Sequence, residues 1–570
     1  MTNESEIIPE SVPAKSTRSS RRKFLGDIGK TALAAAAVGA IPLIDPKSIV
    51  PAQRVIRGDY LLYQQRAIAA YNFRTNCAQF NLDSFPPQFT RPNNGDELRY
   101  PSRIGNYSKC LPHQANGEVV PAAYNTLLDA LRNGSPAAFE QIPLGGTRKL
   151  TNPQSSYAFD LEGADPFTLV QPPPPAFASK EIAAEIAENY WMALLRDVPF
   201  TEYPSDPIAA AAANDLTQFG ADFKGPKTGG GQVTPNLLFR GPTAGDRMGP
   251  LMSQFWYLPC FFGANEINQK TRTVLGAGNG GQNYMTDFNT WLNIQNGASP
   301  ESGDILDPTL RYMRNGRDLG QWVHIDVLFQ GYFQAFLVMA NLGVPVDIGN
   351  PYRNSATQDG FGTFGGPHIA TLLCEVSTRA LKAVWNQKWI VHRRLRPEAF
   401  AERVDRALYH GANYPVHPEI LNSVSTAARL GGYMTPGNAL LPMAFPEGSP
   451  THPAYGAGHA TVAGACVTIL KAWFNESTVI QNPVVPDATG LSLVPYVGDT
   501  LTIGSELDKI ASNVANGRNM AGVHWRSDAT ESLKMGEALA ISVLRDQKAC
   551  YNEVFSGFSL TKFDGTTVTV

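Results

Sequence analysis

Helical spacing of apolar residues is the feature that most restricts the fold of this chain. Apolar residues recur at intervals of three and four along seven long segments, and this period places them on one face of an α-helix. The segments are 179–196, 206–219, 318–341, 366–389, 459–474, 506–520 and 527–547. Shorter helical patterns cover 54–74 and 121–132, whereas strand-like alternation is limited to 491–497 and 566–570. We therefore predict a mainly α protein, a helical bundle with only minor β structure.

The connections between these helices are predicted to be long and irregular. The chain contains 51 glycines and 43 prolines, which favour turns over regular structure. Aromatic residues make up 10% of the sequence and are spread along it, which argues against disorder. The formal net charge is −3 and no block of basic residues is present, so nucleic acid is not expected as a partner.

The N-terminus resembles an export signal. Residues 20–25 read SRRKFL, which matches a twin-arginine motif, and residues 31–44 are uncharged. That stretch is shorter than the roughly 20 residues needed to span a bilayer, so no permanent membrane anchor is expected. A basic segment followed by a short apolar one predicts a cleavable signal at 1–44 and a periplasmic or extracellular enzyme. A chance arginine pair in an N-terminal tail remains the alternative.

The rest of the chain is predicted to be one integrated domain in two parts. Residues 45–300 form a helical and loop-rich part, and residues 301–570 form a C-terminal helical bundle. The six cysteines lie far apart without a CxxC motif, which argues against a cysteine-ligated zinc or iron–sulfur site. Export permits disulfides, and Cys77 with Cys110 is the first pair to test, although sequence alone cannot assign the pairing.

Three segments of the C-terminal half combine cations, imidazoles and a helix start. They are 388–398 (KWIVHRRLRPE), 450–459 (PTHPAYGAGH) and 518–528 (RNMAGVHWRSD). Their charged or titratable groups include Lys388, Arg396, Arg518, His452, His459 and His524, and the helix begins near Gly458. Backbone N–H groups at a helix start attract anions, and the planar arginine fork suits the oxygens of an oxyanion. We therefore predict a site for a phosphate-like ion.

Each segment alone has an ordinary structural explanation. A Gly-His pair at a helix start usually serves packing, and a histidine four residues before an aspartate is often a surface helix pair. The occurrence of all three segments in order within one helical region is what favours a shared site.

Taken together, the segments 388–398, 450–459 and 518–528 resemble the signature of vanadium-dependent haloperoxidases and the related acid phosphatases. The amino-acid sequences at 447–453 (EGSPTHP), 458–461 (GHAT) and 111–124 (LPHQANGEVVPAAY) are similar to those of the bromoperoxidases of red algae and cyanobacteria. The resemblance covers most of the chain after the signal, and its specific motifs lie within 385–528.

The resemblance implies a role for each site residue. His524 would bind vanadium, and Asp528 would orient it or hold the helix start. The oxygens of vanadate would be held by Lys388, Arg396, Arg518 and the N–H of Gly458. His459 would be the acid–base catalyst, and Lys388 would also polarise peroxide. The implied reaction is the oxidation of bromide by hydrogen peroxide, after which a hypobromous-acid-like species halogenates small organic acceptors.

Two further positions bear on the halide. Trp385 lies three residues before Lys388, one helical turn away, and either lines the halide pocket or packs in the core. His452 occupies the position where bromoperoxidases of the family carry a second histidine, which favours bromide over chloride and leaves iodide open. Relatives of this type also imply a homo-oligomer.

The sequence departs from the family pattern at one position. Ala457 stands where the family usually has serine before Gly-His, so a hydrogen bond worth about 0.5–1.5 kcal/mol is missing. The remaining cations should still hold vanadate, and the substitution bears instead on turnover, halide preference and the retention of the cofactor.

The other histidines have no motif partner in the sequence. We predict structural roles for His113, His324, His368, His410 and His417, and we expect His392 to face away from the site. Some algal relatives contain calcium, for which Asp347 and Asp359, beside Gln358, would supply oxygens. No calcium-loop spacing is present.

Two alternatives to the peroxidase remain open from sequence alone. An acid phosphatase would use His459 or His524 as its nucleophile in the same oxyanion pocket. The interval from Lys388 to Arg396 is one residue longer than in the usual phosphatase pattern, and Trp385 with His452 favours the peroxidase. A non-catalytic binding protein is supported only by Ala457.

Overall fold

The computed structural model describes residues 62–84, 86, 91–423 and 438–570. The predicted export signal and the start of the helix predicted at 54–74 lie outside these residues. The α-helices are α1 Leu62–Ser84, α2 Asp96–Arg99, α3 Pro121–Asn133, α4 Pro136–Phe139, α5 Lys180–Leu195, α6 Pro207–Gln218, α7 Phe288–Gln295, α8 Gly316–Ile325, α9 Gln330–Asn341, α10 Gly366–Asn386, α11 Pro397–Tyr409, α12 Gly458–Trp473, α13 Ile503–Met520 and α14 Arg526–Cys550.

The β structure consists of three small antiparallel hairpins, which confirms the prediction of a mainly α fold. The strands are β1 Cys260–Phe262, β2 Asn265–Ile267, β3 Val484–Pro486, β4 Leu493–Pro495, β5 Ser559–Thr561 and β6 Thr567–Thr569. They pair in sequence order, β1 with β2, β3 with β4 and β5 with β6. Strands β4 and β6 fall within the two stretches whose alternation predicted strands.

Helix α12 lies in the centre of the C-terminal bundle, against α10, α13 and α14. Most of its residues are small or apolar, and all of them except His459 are buried, including Lys471 and Trp473. Gly464 of α12 faces the backbone of Leu533 on α14, and Gly536 of α14 faces the backbone of Thr461, with no room for a Cβ atom at either glycine. This close approach of two helix backbones fixes the position of the α12 N-terminus.

The helix predicted at 318–341 is wrong as a single element. The structure divides it into α8 and α9, whose axes turn through 103°. The break begins at Asp326, where the backbone is extended (ψ 155°). Apolar periodicity continues through the break, so the sequence pattern does not reveal it. Within the described residues no single helix is long and apolar enough to cross a membrane, and only this bent pair meets that test of length and composition when its halves are taken together.

The first disulfide pair suggested by the sequence, Cys77 with Cys110, is also wrong. All six cysteines lie within the described ranges and are free thiols. Cys110 is buried in a loop, where it lies against Gly297. Cys77 lies on α1, among groups of α14 that include Asp546. The two thiols therefore occupy different environments, which spacing along the chain cannot show.

Candidate functional site

The start of helix α12 forms one wall of the site. Ala457 precedes the helix with an extended backbone and makes no side-chain cap, and its own N–H donates to Ser532 Oγ at 2.8 Å. The first N–H groups of a helix have no partner within the helix. A Cβ atom on Gly458 would lie 3.3 Å from Cζ3 of Trp385, so glycine lets the indole approach the helix start closely.

Lys388 is buried in the π-helical turn Gln387–His392 that follows α10. Its Nζ donates to the carbonyl oxygens of Pro453 at 2.8 Å and Ala454 at 3.2 Å. An ammonium group has three donors, so one N–H remains for a ligand. The same Nζ lies 5.6 Å from the centre of the Trp385 ring system.

Arg396 joins the three sequence segments, as the residue just before α11. Its guanidinium donates to the carbonyl oxygen of His452 at 2.8 Å and to that of Val523 at 2.7 Å. It also lies 2.9 Å from Nδ1 of His452 and 3.0 Å from Nε2 of His524. One buried cation thus contacts two of the three imidazoles that the sequence placed in the site.

Arg518 lies in the last turn of α13 and is buried. Nη1 donates to the carbonyl oxygen of Val323 at 2.6 Å, and the guanidinium carbon lies 5.3 Å from the centre of the Phe445 ring. Its Nε is buried and has no hydrogen-bond partner among the residues that the structure describes. A ligand oxygen beside it would satisfy this N–H, whose burial without an acceptor is costly.

His524 is held by a chain of buried charged groups. Its Nδ1 lies 2.8 Å from Oδ2 of Asp528, one helical turn later. Asp528 also accepts from Nη1 of Arg394 at 2.8 Å, and Arg394 pairs with Glu185 at 2.6 Å. Because the carboxylate accepts the proton on Nδ1, the lone pair of the neutral ring is on Nε2, the nitrogen that faces Arg396.

His459 pairs with Asp326, a residue that sequence analysis did not identify. His459 Nε2 lies 2.9 Å from Asp326 Oδ1, across 133 residues of chain. Nε2–H therefore donates to the carboxylate, and Nδ1 carries the lone pair. The break between α8 and α9 is what places Asp326 in the site. No sequence signal pointed to it, because the helical pattern continues through this position.

The site has an excess of positive charge. Burial lowers the pKa of Lys388 well below its usual range, and the neighbouring Arg396 lowers it further. Burial also lowers the pKa values of Arg396 and Arg518, each to about 10. Among the residues that the structure describes, none of these three cations forms a salt bridge with a carboxylate. The arrangement therefore requires an anion to balance it.

The imidazole of His452 is kept neutral beside these cations. Burial, and then Lys388 and Arg396, lower its pKa well below 6.5. Its ring centre lies 4.8 Å from that of Trp385, whose Nε1 donates to the carbonyl oxygen of Thr151 at 3.2 Å. The structure thus brings Trp385, His452 and Lys388 together, which is the first of the two alternatives that the sequence left for Trp385.

Glu398, the last residue of the first motif, holds the loop that carries His452 in position through hydrogen bonds. Its carboxylate accepts from the Nζ of Lys109 at 2.8 Å and from the N–H of Ser449 at 2.6 Å. All three residues are buried. Sequence analysis recognised Glu398 as part of a motif but not its partner Lys109, which lies in the N-terminal part of the chain.

His324, for which a structural role was predicted, lies next to Phe445 and Glu447. Its ring stacks on Phe445 at 3.8 Å between centres, on the ring that Arg518 also contacts. Nε2 lies 2.7 Å from Oε1 of Glu447. This histidine therefore supports a ring that orients Arg518.

The remaining histidines lie in ordinary structural surroundings except for buried His392, whose two ring nitrogens have no hydrogen-bond partner among the described residues. Their partners are Ser108 for His113, the N–H of Phe364 for His368, Asp405 for His410, the N–H of Glu419 for His417 and the Tyr455 ring for His392. No group of three or more His, Cys, Asp or Glu in the described ranges is arranged to hold a metal ion. Asp347 accepts the N–H of Gly349, and the predicted calcium site has no support here.

Comparison with known proteins agrees with this geometry. Residues 376–553 match the family described as VCPO second helical-bundle domain. The vanadium-dependent bromoperoxidase of Corallina pilulifera is 35% identical, over 89% of this chain and 99% of that protein. The vanadium-dependent bromoperoxidase of Ascophyllum nodosum is 34% identical, over 81% of this chain and 86% of that protein.

A solved structure shares the whole fold. It is the homohexameric structure of the second vanadate-dependent bromoperoxidase from Ascophyllum nodosum. The TM-score is 0.82 and the sequence identity 30%, with 94% of this chain and 95% of that chain covered. The three motif segments thus lie within a chain that is similar to these proteins over nearly its full length.

Proposed function

Because this chain belongs to the vanadium-dependent bromoperoxidase family, we propose that the pocket between Lys388, Arg396, Arg518 and the start of α12 is its vanadate site. The chain is a peroxidase of the oxidoreductase class, and its reaction is the oxidation of bromide by hydrogen peroxide. The contacts of the pocket residues support one role for each of them in that reaction.

The residues present fit a tetrahedral oxyanion. Arg518 has a buried Nε without an acceptor, Lys388 has one N–H to spare, and the N–H groups at Gly458 point out of a helix start. Three buried cations without a carboxylate partner among the described residues supply the balancing charge. The lone pair of neutral His524 is on Nε2, as a metal ligand requires, and in the structure it accepts an N–H of Arg396 at 3.0 Å.

In this assignment His524 is the ligand of vanadium through Nε2. Asp528 keeps the proton on Nδ1, and Arg394 with Glu185 keeps Asp528 in place, the usual task of residues behind a metal ligand. When bound, vanadate supplies a Lewis acid that activates hydrogen peroxide toward attack by halide.

His459 is assigned the proton transfers. Burial lowers its pKa below 6.5, so the ring is neutral near pH 7 and Nδ1 is free to accept a proton from hydrogen peroxide. Asp326 accepts Nε2–H and stabilises the imidazolium that results. The proton then returns from Nδ1 to the oxygen that leaves as water or hypobromous acid.

Halide selection is assigned to Trp385 and His452. A neutral imidazole and an indole beside Lys388 form a polarisable surface next to a cation, which suits the large bromide ion better than chloride. Iodide would be accepted for the same reason. The acceptors that are halogenated are small organic molecules, and Ala457 modulates the affinity for vanadate.

The observation that carries this proposal is the buried cluster of three unbalanced cations around His524 and a helix start. Its test is to add orthovanadate to apoprotein and to follow bromination of a phenol dye with peroxide and bromide. We expect no activity without vanadate, full activity with it, and competition by inorganic phosphate. Phosphatase turnover without bromination would favour the acid phosphatase, and vanadate binding without either activity would favour a binding protein.

We further propose that the enzyme is exported and acts as a homo-oligomer. The twin-arginine motif at 20–25 supports export, and the homohexameric relative supports assembly. The parts at 45–300 and 301–570 are proposed to be one domain, because buried ion pairs join them, Lys109 with Glu398 and Glu185 with Arg394.

A further inference from the structure

Two thiols far apart in sequence lie in the same surroundings. Cys77 is half-buried on α1, and Cys550 is the exposed last residue of α14. Between the two helices, Nδ2 of Asn81 donates to Oδ2 of Asp546 at 3.1 Å. Side chains four residues apart share one face of a helix. Cys77 is therefore on the face of Asn81, and Cys550 is on the face of Asp546.

The neighbours of the two thiols show the relative direction of helices α1 and α14. The charge of Arg74, one turn before Cys77, lowers the pKa of Cys550. Asn81, one turn after Cys77, donates a hydrogen bond to Asp546. The helices are therefore antiparallel here, which brings residues 77 and 550 opposite each other. Burial, and then Asp546, Cys550 and Glu162, raise the pKa of Cys77 to about 12.

The surroundings of Cys550 contain the same groups. Burial, and then Glu162 and Asp546, raise the pKa of this thiol to about 11. Its Sγ lies 3.3 Å from the carbonyl oxygen of Asp546, one turn earlier. The Asn81–Asp546 contact, one turn from each thiol, therefore places Cys77 and Cys550 on the facing sides of α1 and α14.

We propose that Cys77 and Cys550 are a modification site, where the oxidant made by this enzyme forms an intrachain disulfide that fastens α1 to the end of α14. The exposed sulfur of Cys550 attacks bromine of hypobromous acid, so that an S–Br bond forms, the O–Br bond breaks and water leaves. The sulfur of Cys77 then attacks that of Cys550 and expels bromide. Two thiols lose two electrons and two protons, and hypobromous acid is reduced to bromide and water.

The oxidant in this proposal rests on the proposed function, whereas the pairing rests on the contact between α1 and α14 and does not depend on that function. A thiol of high pKa is a poor leaving group in thiol exchange, so the bond is expected to resist small thiols once formed. The pair would both consume stray oxidant and hold the otherwise exposed first helix to the bundle.

The test uses reduced full-length protein. One sample is treated with vanadate, peroxide and bromide, and a second, without vanadate, is treated with the thiol oxidant diamide. After denaturation, titratable thiols are expected to fall from the six in the sequence to four in both samples. Non-reducing peptide mapping should find Cys77 joined to Cys550.

Variants separate this pair from the other cysteines. Cys77→Ser and Cys550→Ser should each abolish the link, whereas Cys374→Ser is the matched control and should retain it. Cys374 also neighbours a second cysteine, Cys466, but that thiol is fully buried and bonds to Leu373.

Each outcome has a distinct meaning. A link with diamide but no bromide oxidation would reject the proposed function and keep the disulfide. Normal bromide oxidation with both thiols still free in both samples would reject the disulfide, as would a link from either cysteine to a second chain.

Discussion

Asp326 Oδ1 lies 2.9 Å from Nε2 of His459, although 133 residues separate them in the chain. The contact exists because the apolar helix pattern is interrupted between α8 and α9, where the backbone of Asp326 is extended. The pair orients the imidazole so that Nδ1 carries the lone pair, and Nδ1 is the nitrogen that exchanges protons in the proposed mechanism. We expect this arrangement to set the pH dependence of the enzyme.

We expect Asp326→Asn to move the acidic limb of the pH–rate profile to lower pH. The carboxylate raises the pKa of His459, while burial and Arg518 lower it below 6.5. Removing the carboxylate lowers that pKa further, so the neutral base persists at lower pH, while turnover falls because the ring is less well oriented. The measurement is kcat/KM for peroxide against pH. Asp129→Asn, which removes one partner of an exposed ion pair with Arg132 on α3, is the control, and an acidic limb that moves upward in Asp326→Asn contradicts the assignment.

Replacing His524 and replacing His459 should affect different properties, namely vanadate binding and turnover. His524→Ala is expected to abolish vanadate binding, because the metal loses its nitrogen ligand. His459→Ala should bind vanadate and lose roughly 10²–10⁴ in turnover, the usual contribution of an acid–base group. Vanadate titration and bromination assays separate the two effects, with the half-exposed His410→Ala as control. Equal affinity for vanadate in His524→Ala and the parent protein would refute the ligand role.

Asp528→Asn is expected to weaken vanadate binding about 10- to 100-fold, as replacements behind a metal ligand do. The amide no longer holds the proton of His524 on Nδ1 with a negative charge, and Arg394 loses one of its two carboxylates. The dissociation constant for vanadate is the measurement. Glu531→Gln on the same helix is the control, since Glu531 pairs only with Lys534 there, and equal losses in both variants would point to the helix rather than to His524.

Ala457→Ser is expected to tighten vanadate binding. Ala457 precedes α12 without a side-chain cap, and a hydroxyl at this position adds one hydrogen bond, worth about 0.5–1.5 kcal/mol or a factor of roughly two to ten in affinity. Titration of both apoproteins with vanadate measures the change. The competing result is a higher melting temperature of the apoprotein with unchanged affinity, which would mean that the serine caps the helix instead.

Replacing both Arg21 and Arg22 by lysine is expected to leave the precursor in the cytoplasm. The export receptor reads the arginine pair, so equal charge does not compensate for it. Cell fractionation measures the result, with Arg18→Lys as the matched control. Unchanged export of the double variant would overturn the twin-arginine assignment without touching the enzymatic one.

Local information determined much of this protein from sequence alone. The helical class followed from apolar spacing, because the helix period is set by contacts between residues three and four apart. The pairing of His524 with Asp528 is also local, because Asp528 lies in the first turn of α14 and His524 just before that helix. Lys388 and Arg396 were identified as cations of the motif segments, and their predicted role in binding vanadate came from the resemblance of those segments to the family.

Only the tertiary structure decided which distant groups meet. Asp326 reaches His459, Glu185 reaches Arg394, and Cys77 neighbours Cys550 rather than Cys110. Such contacts depend on where helices break and how their backbones pack, as at the glycines between α12 and α14. Neither property leaves a periodic trace in the sequence, because burial of an apolar face specifies that a helix packs but not which partner it packs against.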